Sequence, residues 1–152
     1  MKLLSFDPGI GIMGYAVFEH GHLLDCGVIT TDKRQEYGAR LNEIYADVGR
    51  LIFKTRPDQI AIEKLFANKG NARNMESVSA ARGCIFMHAA VESIPVYEYA
   101  PNSVKLGVAG HGRADKGQVQ SAVSEKLGIP IIKPDDACDA VAIGLFHLKQ
   151  KG

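Results

Sequence analysis

Tryptophan is absent from this chain, and cysteine, aromatic residues and long apolar runs are all scarce. The 3 cysteines, Cys26, Cys84 and Cys138, form no CxxC pair and are odd in number. That excludes a disulfide framework and points to reduced thiols packed in a core. No apolar run reaches bilayer-spanning length, and no charged-then-apolar leader with a cleavage site opens the chain, so a cytoplasmic protein with no membrane partner is expected. A surplus of one charge is missing too. Lys and Arg total 18 against 17 for Asp and Glu, which leaves no global signature of nucleic-acid binding. Repeats, linkers and low-complexity tracts are likewise absent. What remains is an ordinary globular composition, 46% hydrophobic and 23% charged over 152 residues, which fits a single domain over 1–152 large enough to bury a core.

The near-neutral total hides an uneven distribution. Lys64, Lys69, Arg73 and Arg82 face only Glu76 in one segment, and Lys105, Arg113 and Lys116 face only Asp115 in another. A solvated face explains either cluster alone. If a cation neutralised the chain's buried acids, the remaining surface would be more basic than the formal charge implies.

Periodicity gives the order of elements. Lys2–Phe6, Tyr15–His20 and Leu23–Thr30 read as strands, and the short second link favours an antiparallel meander. From about Tyr37 to Lys54, Leu41, Ile44, Tyr45, Val48, Leu51 and Ile52 recur at helical spacing. Gln59–Glu63 is a short buried strand, 71–91 a helix and 94–99 a fifth strand. Helices then follow around 102–106 and 116–127, separated by a glycine-rich stretch, and Pro134 opens the last one. The expected fold class is α/β: a five-stranded mixed sheet, three antiparallel strands followed by two parallel ones, with helices on both faces and right-handed crossovers.

Four carboxylates stand where burial is costly unless a charge is paired or bound to a cation. Asp7 ends the first apolar run and precedes Pro8-Gly9, while Glu63 ends the run Gln59-Ile-Ala-Ile62. Asp136 and Asp139 lie three apart, on one face of the final helix, whose stripe Ala137, Val141, Gly144, Leu148 is small enough for close packing on the sheet. With no fixed basic partner evident beside them, the four acids suggest a divalent metal site. Asp135 projects from a different helix face and reads as a helix-start charge. For each acid alone there is a bland alternative, such as a turn residue at Asp7 or a salt bridge from Glu63 to Lys64 or Arg82.

Taken in order, Phe6-Asp-Pro-Gly9 with Gly14-Tyr15, Pro57 through Phe66, Ala81-Arg-Gly83, Val96 through Ala100, Asp115 through Gln120 and Asp136-x-x-Asp139-Ala-x-Ala-Ile143 resemble RuvC-type Holliday junction resolvases over nearly the whole chain. The resemblance implies a ribonuclease H-like fold, a homodimer, and magnesium-dependent cleavage of four-way junction DNA by paired, symmetric nicks. It makes Asp7, Glu63, Asp136 and Asp139 ligands of two Mg2+ ions, which Mn2+ can replace, and Lys116 a further catalytic group. It also implies DNA contacts from Phe66, as a base-stacking aromatic, and from Lys105 and Lys116 near the scissile phosphate; Lys69, Arg73 and Arg113 are further basic candidates for phosphate contact. Arg82 is expected to anchor its helix to the sheet or to an acid, and His111 to lie on the surface.

The chain departs from that pattern in three places. One residue, most simply Gly70, is extra between Phe66 and Arg82; Met75-Glu-Ser-Val-Ser-Ala80 replaces the usual residues of a helix that contributes to the dimer in relatives; and the sequence ends at Gly152, soon after the last helix. Dimer geometry is therefore open, and coupling to a branch-migration motor complex is doubtful. Two other readings stand beside the first. One is a ribonuclease H-like nuclease for flaps or forks. The other is an actin or sugar-kinase type phosphate module, since Asp7 through Gly14 also resembles a nucleotide loop, although no second such loop is visible.

Overall fold

The computed structural model describes residues 1–65 and 72–152, with only the backbone at 72–74. Its elements are β1 (Lys2–Asp7), β2 (Ile12–Glu19), β3 (His22–Thr30), α1 (Tyr37–Thr55), β4 (Gln59–Glu63), α2 (Ala72–Val91), β5 (Val96–Tyr99), α3 (Pro101–Ala109), α4 (Lys116–Leu127) and α5 (Asp135–Lys151). Local chemistry accounts for their limits. His20 and Gly21 both take positive φ and form the two-residue turn that joins β2 to β3, where the primed turn types match strand twist. Helix α1 buries Ile44, Val48 and Ile52 and stops at Arg56, left-handed before Pro57. Helix α4 starts from a capping box, in which Asp115 Oδ1 accepts from the Gln118 amide at 2.8 Å and Gln118 Oε1 accepts from the Asp115 amide at 2.9 Å.

The sheet order is β3-β2-β1-β4-β5. β1 pairs antiparallel with β2, and β2 with β3, while β4 lies parallel to both β1 and β5. That is the mixed sheet expected from the pattern. Side chains of alternate parity feed two cores. Leu4, Phe6, Met13, Val17, Ile60 and Ile62 meet α1 and α2 on one face. Leu3, Ala16, Phe18 and Ala61 meet α3, α4 and α5 on the other, so helices cover both faces.

Three boundaries differ from the pattern by two residues or more. Strand β2 begins at Ile12 rather than Tyr15, because Gly14 pairs with Asp7 and extends the ladder into a stretch whose glycines read as a turn. Strand β5 starts at Val96 rather than 94. Helix α3 continues through Gly107, where a side chain would overlap the Phe146 ring; that glycine serves close packing rather than a break. Cys84 and Cys138 are buried free thiols, and Cys26 is partly covered.

The last helix is pinned to the strands that matter most. Ser5 Oγ, on β1, donates to the Ala140 carbonyl at 2.7 Å. Buried His147 lies 2.6 Å from Gln59 Oε1 and 2.7 Å from the Tyr99 hydroxyl, which ties α5 to β4 and β5. Its desolvation pushes the imidazole pKa down to about 4. Gly144 lets α5 sink onto the sheet, since a Cβ there would overlap the Phe18 ring and the Ser5 hydroxyl.

Gly144→Ala should therefore reverse the usual sign. In an exposed helix interior, exchanging Gly for Ala gains about 1 kcal/mol. Here overpacking should dominate and lower stability by about 1–3 kcal/mol in urea unfolding. A stabilised variant would show that α5 is not seated so closely.

Candidate metal centre

Register decides where the first two acids go. Phe6 pairs with Ile62 in the parallel β1–β4 ladder, so Asp7 and Glu63 follow side by side at the carboxyl ends of neighbouring strands. Both share the parity of Leu3, Ser5 and Ala61, the residues that face α5. Such a rim, outside the carboxyl ends of parallel strands, is where open α/β sheets hold ligands. Gly14 lies beside Asp7 on β2 with the same facing, and the Asp136 carbonyl rests directly on it; a Cβ at position 14 would overlap that carbonyl. This close approach delivers the first turns of α5, with Asp136 and Asp139, to the end of β1. Behind Asp7, the loop is held by Thr31, whose hydroxyl donates to the Ile10 carbonyl at 2.5 Å and accepts from Arg40 Nε at 3.0 Å.

One oxygen each from Asp7, Asp136 and Asp139 lies within 4.8 Å of the others. Glu63 stands outside that tight group but lines the same cleft, of about 300 Å³, with Asp7, Asp139, Lys105 and Lys116. The carboxyl groups perturb one another. Burial, then the charges of Asp139, Glu63 and Asp136, push the pKa of Asp7 up to about 8. Burial and Asp139 raise that of Glu63 against the pull of Lys105 and Arg82. Burial also raises that of Asp139, with Lys116 opposing. Asp7 thus holds its proton at neutral pH for want of positive charge beside it. The donor set is all oxygen, without thiol or imidazole, and it fits a hard divalent cation such as Mg2+ or Mn2+. Cys138, between two of the acids in sequence, packs in the core instead.

Lys116, the first residue of α4, lies 3.8 Å from Asp139 and 3.7 Å from Asp135, so the acids do have a basic neighbour, the lysine that the resemblance made a catalytic group. Lys105 projects from α3 into the same cleft. Arg82 donates to the Glu63 backbone carbonyl at 2.6 Å and pairs with Glu98. It thus anchors α2 to β4 and β5, while its charge also pulls the Glu63 pKa down. Arg113 and His111 are exposed on the loop between α3 and α4. Arg73 lies on α2 with its side chain outside the described residues, as Phe66 and Lys69 are altogether. Asp135 is outside the acid group but makes contacts of its own.

A family model described as "Crossover junction endodeoxyribonuclease RuvC" matches residues 3–147. The crossover junction endodeoxyribonuclease RuvC of Prochlorococcus marinus subsp. pastoris is 43% identical over 100% of this chain and 99% of its own length. That of Gloeobacter violaceus is 42% identical over 97% and 89%. The structure of Thermus thermophilus RuvC in complex with a Holliday junction substrate superposes with a TM-score of 0.89 at 31% identity, over 99% of this chain and 94% of that one.

The raised Asp7 value has a consequence for the metal-free protein. Folded Asp7 keeps its proton up to about 8, whereas an unfolded Asp loses it near 3.8, so stability falls as pH rises through that window. Buried His147 acts oppositely, but only below its ordinary 6.5. Between pH 6.5 and 8, in EDTA, the melting temperature should therefore decline with pH. Asp7→Asn, or millimolar Mg2+ added to the wild type, should flatten that decline. Parallel slopes in all three samples would contradict the electrostatic account of Asp7.

Proposed function

Because this chain belongs to the RuvC family of crossover junction endodeoxyribonucleases, we propose that it resolves four-way DNA junctions by paired, symmetric, Mg2+-dependent nicks. The observation that carries this reading is the convergence of Asp7, Asp136 and Asp139 at a cleft that Asp7, Glu63 and Asp139 line together with Lys105 and Lys116. The Thermus thermophilus relative is in complex with a Holliday junction substrate, and this chain shares its fold.

Asp7, Glu63, Asp136 and Asp139 would hold two Mg2+ ions, with Mn2+ able to replace them, and Asp7 would be the carboxylate shared between the two. Held there, such a cation pair would supply charge stabilisation for an in-line displacement at phosphorus. The remaining work falls to the chain itself. The Lys116 ammonium faces the acids and can offset negative charge that builds on the phosphate in the transition state. Lys105, Arg113, Lys69 and Arg73 would contact phosphates, which set position and salt dependence rather than sequence choice. Phe66 would stack on a base at the opened junction centre, worth about 1–3 kcal/mol. Two symmetric nicks require two sites, and hence a homodimer. Phe53, Met87 and Val91, exposed apolar residues of α1 and α2, support an association surface on the face opposite α5. Among the described residues nothing favours a motor partner. Among the described residues no helix is long and apolar enough to cross a membrane, and a cytoplasmic site of action agrees with a DNA substrate.

The test is to incubate the protein with a mobile four-way junction, a flap and plain duplex, in Mg2+, Ca2+ or EDTA. Paired nicks in opposite strands of the junction are expected in Mg2+ alone. Asp7→Asn should lower cleavage by roughly a thousandfold, the scale of losing a transition-state electrostatic partner, while junction binding in Ca2+ changes little. Preferential cutting of the flap would favour the broader branched-DNA nuclease, and random nicking of duplex would overturn both readings.

A further inference from the structure

Asp135 lies beside the acid group yet outside it, and its contacts are unusually well defined for a partly exposed side chain. Oδ1 accepts from Gln120 Nε2 at 2.8 Å and from the Lys133 ammonium at 2.8 Å. Gln120 is itself buried, so it fixes the carboxylate from the protein side. With Oδ1 engaged, Oδ2 is left 3.7 Å from the Lys116 ammonium, which also stands 3.8 Å from Asp139. The backbone of Lys116 is set by the capping box that opens α4. One ammonium is therefore shared between two carboxylates of different standing. Asp139 belongs to the group that fits a divalent cation, and Asp135 does not.

We propose that Asp135 is a positioning residue for junction cleavage, holding the Lys116 ammonium at the rim of the cleft when Asp139 is committed to a cation. The inference rests on the reading of Lys116 as the group that faces the scissile phosphate. A cation on Asp139 satisfies that carboxylate and repels the ammonium. Lys116 is 58% exposed on a flexible four-carbon stem, and with Asp139 lost as a partner it would swing into solvent. Asp135 keeps its charge because Gln120 and Lys133 bind it away from the cation group. An ion pair this exposed contributes little to stability. Its effect is to pre-set one flexible side chain, and that enters the rate of the chemical step more than affinity for DNA. Asp135 also places a negative charge near the phosphate path. Neutralising it should leave junction binding equal or tighter while cleavage slows, which neither a structural residue nor a phosphate-contacting residue would do.

Asp135→Asn retains the acceptor for Gln120 and removes only the charge. In single-turnover cleavage of a four-way junction at saturating protein and Mg2+, it should lower the rate constant about fivefold, the upper range for an exposed ion pair. Junction affinity in Ca2+ should not weaken. Asp135→Glu should recover most of the rate, and in a Lys116→Ala background Asp135→Asn should have no further effect. A readout independent of activity is acetic anhydride labelling of the Ca2+-loaded protein without DNA. Lys116 acetylation, relative to the exposed Lys33, should rise several-fold in Asp135→Asn. Unchanged rate and labelling, or an equal fivefold loss in the Lys116→Ala background, would overturn the positioning role while leaving the nuclease reading intact. A Lys116→Ala variant as fast as wild type would instead remove the premise about Lys116, and the inference with it.

Discussion

Three carboxylates held within 4.8 Å of one another by a packed core repel each other, and the rest of the molecule is arranged around that repulsion. Buried like charges are tolerated only when protonated or when a cation joins them. The metal-free protein takes the first course at Asp7, whose pKa is pushed up to about 8. A divalent cation offers the second, and it turns an unfavourable arrangement into a binding site. Lys116 answers the repulsion in part; it is near enough to feel the acids and exposed enough to move.

Keeping the acids together despite their charge requires a rigid frame, which here consists of close contacts rather than long networks. Gly14 lets the Asp136 carbonyl rest on β2, and Gly144 lets α5 settle against Phe18. Ser5 and His147 pin the same helix to β1, β4 and β5 by hydrogen bonds. The strands that carry Asp7 and Glu63 are thus the strands to which α5 is fastened. Packing on the far side of the helix stripe therefore sets the geometry of the acids, and with it whatever chemistry a bound cation performs.

Much of this was legible in the sequence, for identifiable reasons. The apolar runs of β1 and β4 and the helical spacing of α1 and α5 are plain, so the mixed sheet and the placement of Asp7, Glu63, Asp136 and Asp139 at element ends followed from pattern alone. The start of β2 did not, because the glycines at 9, 11 and 14 signal a turn, whereas Gly14 is a contact residue of the sheet. Gly107 misled in the same way. A glycine required by a neighbour's ring or carbonyl looks, in sequence, like one required by a turn. The partnership of Lys116 with Asp135 and Asp139 was also invisible, since these residues meet only when α4 packs beside α5. Asp135 read as a helix-start charge, which it is, but its neighbours could not be read from its position. The Phe66 and Lys69 expectations lie outside the described residues.

The central claim is that Asp7, with its neighbours on β4 and α5, is a seat for divalent metal. Anomalous diffraction from crystals soaked in Mn2+ addresses it directly. The account predicts a peak within about 2.2 Å of an Asp7 carboxylate oxygen, at oxygen-donor coordination distance, with Asp136, Asp139 or Glu63 as a further ligand. A peak elsewhere, with none in the cleft at millimolar Mn2+, would contradict it.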